Sequence, residues 1–211
     1  KTKNAFVDRV ETTFLPRYEV PAITAELPAD DAMARSKVFS LQYLGDAGVA
    51  ASEKLRLLAG VKESYASWVK TQAAEAAELS EFGGAPSRAI ERMDRVVLRI
   101  EKGLRLLKTD PDAMRCFELA NRAMHMQMVH SSADYAKSTK SKGHAYVPPK
   151  YGDSKWAHFS WRPFQLAFQL LVIESLANRN STERDVVDLI WFPTGGGKTE
   201  AYLAVAAFEL F

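Results

Sequence analysis

Val186-Val187-Asp188-Leu189-Ile190-Trp191-Phe192-Pro193-Thr194-Gly195-Gly196-Gly197-Lys198-Thr199 is the stretch on which the reading of this 211-residue chain turns. Residues 186–192 are apolar apart from Asp188, the pattern of a strand buried on both faces. Three consecutive glycines follow. With no Cβ atoms in the way, the backbone can wrap closely and aim successive N–H groups at phosphate oxygens. The apolar run beyond Thr199 predicts a helix opening near Lys198, whose free N–H groups and positive dipole end suit an anion. Thr194, Gly195, Gly196 and Gly197 would then form the cradle. Lys198 would neutralise the β- and γ-phosphates and serve as the catalytic cation, and the Thr199 hydroxyl would bind Mg²⁺. The expected ligands are therefore ATP and Mg²⁺. The strict pattern, G-x-x-x-x-G-K-[ST], carries glycine where this chain has Phe192.

Upstream, Trp161-Arg162-Pro163-Phe164-Gln165 opens a helix expected over residues 163–178. Phe164, Ala167, Phe168, Leu171 and Leu176 are expected on its buried side. A glutamine amide can donate to adenine N7 and accept from the N6 amino group at once, whereas guanine presents the wrong pair on that edge. Gln165 is thus the candidate for reading the base.

Further towards the N-terminus the pattern is helical. Residues 1–28 hold Pro16, Pro21 and Pro28 and read as a short helix and an extended connector. Leu55, Leu58, Val61, Tyr65, Val69, Ala73 and Ala76 recur every three or four residues and predict a first long helix. Gly83 and Gly84 stop it, and Pro86 restarts the chain as a second helix. Ile90, Met93, Val97, Ile100, Leu104 and Leu107 form a seam of coiled-coil spacing, so the two helices should pair as an antiparallel hairpin. Asp110 should cap a third helix at Pro111, with Asp112 in its positive first turn and Met114, Phe117, Met124 and Met128 inside. Residues 137–155, rich in lysine, glycine, proline and tyrosine, read as a linker. The expected divisions are a helical domain at 1–136, this linker, and the start of an ATP-binding domain at 156–211.

Composition narrows the classes. Apolar residues make up 47% of the chain, which suits a buried core. The 28 basic and 26 acidic residues leave +2, so any nucleic-acid surface must be local. Cys116 is the only cysteine, which excludes an internal disulfide and a cysteine-based zinc site and fits a reducing cytoplasm. No apolar run nears the ~20 residues that span a bilayer, so no membrane role is expected. Lys1 at the start and Phe211 inside a predicted helix lead us to expect a piece of a longer protein.

The A-x-x-G-x-G-K-T form of the phosphate loop and an R-P-[FY]-Q opening belong to superfamily 2 helicases, and Phe192 to Thr199 with Arg162 to Gln165 resemble them. RPFQLAFQLL, the apolar run and FPTGGGKTEAYL together are similar to the helicase-like subunit of the DISARM anti-phage systems. The strong likeness covers roughly the last 50 residues, and Phe117-Glu118-Leu119-Ala120-Asn121-Arg122-Ala123-Met124 resembles a helical phrase upstream of the motor more loosely. This resemblance implies a mainly α chain: a helical bundle followed by the opening helix, strand, P-loop and helix of an α/β RecA-like motor domain. It also implies an ATP hydrolase acting on DNA beside a partner subunit of a defence complex. Arg162 would join Gln165 at the nucleotide. The later acid pair and arginine motifs of such motors are missing, so these 211 residues alone should hydrolyse nothing.

Two readings remain open at this level, a DNA-dependent motor and a nucleotide-regulated scaffold for a defence complex. Two surface features are equally open. Arg88, Arg92, Arg95, Arg99 and Lys102 line one side of the second helix, as a solvated face or as a track for DNA phosphates. Tyr146, Tyr151 and Trp156 among the linker lysines could stack on single strands or simply belong to a connector.

Overall fold

The computed structural model describes residues 36–132, 135, 148–191 and 196–211. The proline-bearing opening, residues 137–147 of the linker with Tyr146, and residues 192–195 lie outside them. Six α-helices are formed among the described residues: α1 (Leu41–Leu44), α2 (Ala51–Ala77), α3 (Ala85–Thr109), α4 (Pro111–Ser131), α5 (Pro163–Ala177) and α6 (Lys198–Leu210).

The helix boundaries follow local chemistry. α2 ends before a single 3-10 turn and Gly83, whose φ of 58° is costly for any residue with a Cβ. α3 then runs back along α2. The Asp110 carboxylate accepts from the N–H groups of Asp112 and Ala113 at 2.9 and 3.1 Å, which lets α4 begin one residue after α3 has ended. Ile100 and Leu107 of the α3 seam are buried, as are Leu58, Val61 and Val69 of α2.

Packing continues past the hairpin. α3 also lies against α5, α5 against α6, and α6 against α4. α3 and α5 approach so closely at Gly103 that a Cβ there would strike the Leu170 carbonyl oxygen. One apolar cluster runs from Val38 and Leu41 through Leu107, Phe117 and Met124 to Leu166, Leu170, Ala204 and Phe208. Polar ties fix its register. Buried Lys54 of α2 donates to the Asp46 carbonyl (2.6 Å) and to Glu118 of α4 (2.7 Å). The Trp161 indole donates to Asn121 at 2.6 Å, and Asn121 in turn donates to the Phe117 carbonyl at 2.8 Å. No described helix is long and apolar enough to cross a membrane.

The expected opening of an α/β RecA-like domain is overturned. Among the described residues no strand is formed, and the one β-bridge joins Ser40 to Ser160. Residues 186–191 were expected to be a buried parallel strand, yet Val187, Leu189 and Trp191 are 93%, 84% and 67% exposed. The physical reason is the ladder. A strand satisfies its N–H and C=O groups only through a neighbour, and no backbone hydrogen bond joins residues 187–191 to another described residue.

The face of α5 also differs from expectation. Leu166, Leu170 and Ile173 are buried together with Gln165 and Gln169, whereas Phe164, Ala167, Phe168, Leu171 and Leu176 are only partly covered. α5 is apolar around most of its circumference, so periodicity alone could not choose its inner side.

Candidate functional site

The N-terminus of α6 is built from the glycine run. Gly197 caps the helix in the left-handed region with φ 84°, and Gly196 before it is buried. A Cβ at Gly197 would stand 2.5 Å from Gln165 Nε2, so both conformation and space demand glycine. Lys198 and Thr199 open the first turn, Lys198 half-buried and Thr199 exposed. Glu200 sits in the same turn and adds a negative charge near the positive helix end. Ala201, Ala204 and Phe208 seat α6 on α4 and α5, and Tyr202 meets Phe168 edge-to-face at 5.8 Å.

Gln165 lies directly beneath this turn. It is 3% exposed, its Nε2 donates to the Gly197 carbonyl at 2.7 Å, and its Oε1 accepts from the Arg162 N–H at 2.7 Å. One amide thus closes the start of α5 and holds the start of α6. It retains one further N–H and one further lone pair. Gln165, Arg162, Gly196, Gly197, Lys198 and Thr199 are therefore gathered in one place. Thr194 and Gly195 lie outside the described residues.

The charged stripe of α3 resolves into two parts. Arg88, Arg92 and Arg95 are exposed, but Arg99 is 4% exposed and turned towards the chain ahead of the glycine run. Its Nη1 and Nη2 donate to the two carboxylate oxygens of Asp188 at 2.5 and 2.7 Å. Its Nε lies 3.5 Å from Glu183, an ion pair without hydrogen-bond geometry, and Lys102 donates to the other Glu183 oxygen at 3.0 Å. The hydrogen bond to Asp188 holds the guanidinium even further above its ordinary range, against the opposing effect of burial. Sequence reasoning placed Arg99 in a solvated face or a DNA track and missed this pairing. The available signal was Asp188, a lone acid inside an apolar run, which needs a partner if it is covered.

The linker aromatics are partly described. Trp156 is buried against Phe159, with rings stacked at 6.2 Å, and its carbonyl faces His125 Nε2 at 3.3 Å. Tyr151 bonds His130 through its hydroxyl at 2.7 Å.

No protein-family model matches the chain. The chain is 31% identical over 209 residues to the DISARM protein DrmA of Bacillus paralicheniformis. That match takes in 97% of this chain and 18% of the length of DrmA. The similarity supports a relation to the DISARM proteins. It extends over the helical region as well as the glycine run, beyond the last 50 residues on which the resemblance in sequence was strongest.

Proposed function

We propose that this chain supplies the nucleotide-phosphate site of a helicase-like subunit of superfamily 2 type, an ATP hydrolase acting on DNA within a DISARM-type defence complex. The observation that carries the reading is the meeting of Gly196, Gly197, Lys198 and Thr199 at the start of α6 with Gln165 of α5 beneath them. Free N–H groups of a helix start, a glycine in the left-handed region and a lysine at the first position make a donor set suited to phosphate. The residues present fit MgATP. Lys198 would meet the outer phosphates, Thr199 would ligate Mg²⁺, and Thr194 and Gly195 would extend the cradle. Gln165 and Arg162 would lie towards the adenine, Gln165 using the donor and acceptor that its present bonds leave spare. Mg²⁺ bound there would neutralise phosphate charge, while the chain's own residues bind and orient.

The test is phosphate release by the natural full-length polypeptide, with and without DNA, for wild type and Lys198→Ala. Loss of about a hundredfold or more is expected, the scale on which such charge stabilisation acts. Near-normal turnover by the variant would remove Lys198 from the site. ATP binding without any release in the wild type would instead favour a nucleotide-regulated scaffold.

A further inference from the structure

The chain ahead of the glycine run is held in an unusual way. Side chains of residues 187–191 alternate, with Val187, Leu189 and Trp191 outward and Asp188 and Ile190 partly covered. No backbone hydrogen bond joins these residues to another described residue. Among the described residues, the side-chain hydrogen bonds that grip them are those of Asp188, taken by both Nη groups of Arg99. Lys102, one helical turn further along α3, grips Glu183 in the 3-10 turn (Thr182–Asp185) just ahead of that segment. Two-point pairing fixes a carboxylate in orientation as well as in position, which a lysine cannot do.

The far side of the run is held by the same frame. Gln165 of α5 bonds the Gly197 carbonyl, and α5 is locked onto α3 by the close approach at Gly103. Arg99 and Gly103 are one turn apart on α3. The chain ahead of the glycine run and the last glycine of that run are thus tied to one pair of packed helices, at Asp188 and at Gly197.

We infer that Arg99 is a positioning residue for the phosphate site: its fork on Asp188, supported by Lys102 on Glu183, sets how the chain approaches the start of α6. This rests on the phosphate-site reading above. Arg99 touches no nucleotide. It acts by holding Asp188, and through it the segment continuous with the glycines, against the frame that also carries Gln165.

The experiment measures MgATP affinity of the full-length polypeptide for wild type, Arg99→Lys, Asp188→Asn, the double variant, and Lys198→Ala as control. Limited chymotrypsin cleavage after Leu189 and Trp191 is read in parallel with hydrogen exchange in α4. Each single variant should weaken MgATP binding about tenfold, within the usual range of coupling between sites. The double variant should bind no more weakly than either single one, because both remove the same contact. Cleavage after Leu189 and Trp191 should quicken, while exchange in α4 stays slow. Should Arg99→Lys fail to fold, Asp188→Asn decides alone, since Asp188 keeps 24% of its side chain exposed. Faster cleavage with wild-type affinity, while Lys198→Ala loses binding, would reduce Arg99 to a structural tie and overturn the inference. Additive losses in the double variant would overturn it as well. Wild-type affinity in Lys198→Ala would overturn the phosphate-site reading on which the inference stands.

Discussion

α3 and the segment at residues 186–191 are both rich in large aliphatic side chains, yet they have opposite fates. Along α3, Ile100 and Leu107 lie inside the cluster that joins six helices. Along the segment, Val187 and Leu189 are almost wholly in solvent. Hydrophobicity does not explain the difference. A helix satisfies its own N–H and C=O groups and needs a neighbour only for its side chains, whereas an extended chain needs a neighbour for both. α3 found α2 and α5. Beyond the Val186 N–H, which donates to the nearby Glu183 carbonyl at 3.1 Å, the segment's polar tie among the described residues is the Arg99 fork.

The strongest challenge to this contrast is Leu107→Ala. Removing a buried leucine side chain should cost about 2–5 kcal/mol, a transfer term plus the cavity it leaves. Urea unfolding followed by far-ultraviolet circular dichroism measures it. A cost below about 1 kcal/mol would mean that the α3 seam does not hold the body together.

A change of pH probes the buried side without cutting into it. His125 on α4 is held below its ordinary pKa, first by burial and then by repulsion from His158, with the Trp156 carbonyl acting the other way. The folded state therefore resists protonation, and the unfolded chain takes up the proton first as the pH falls below about 6.5. Stability should be level above that value and should decline as the pH falls towards the lowered pKa of the folded state. Denaturation midpoints between about pH 5 and 8 should show this slope for wild type and lose it in His125→Asn. An unchanged slope in the variant would assign the titration to another group.

Val187→Ala should produce the smallest effect, within about 0.5 kcal/mol in the same unfolding assay, as expected for a side chain with little left to lose. A loss as large as that of Leu107→Ala would show that Val187 is covered in solution, and the contrast between the two regions would collapse.

Several features were legible from residues alone because they are local. Asp110 and Pro111 start α4 whatever surrounds them, since capping needs only neighbouring N–H groups. The 3.5-residue spacing of α3 and the glycines at 83 and 84 prescribe a hairpin for similar reasons. At the candidate site, the helix start at Gly197 and Lys198 was legible because a left-handed cap depends on residue type and order. Arg99 was misplaced because it shares one side of α3 with the exposed Arg88, Arg92 and Arg95, and only the position of Asp188 distinguishes it from them. The buried face of α5 was misread because that helix is apolar nearly all round.

By itself, then, the sequence determined where the long helices start and stop, because capping, periodicity and glycine geometry act over a few residues. The tertiary structure alone decided which face of α5 is buried, which arginine of α3 is paired, and that residues 186–191 have no ladder partner among the described residues. Each of these depends on groups distant in the chain, and only packing determines whether a side chain or a backbone N–H meets its counterpart or meets water.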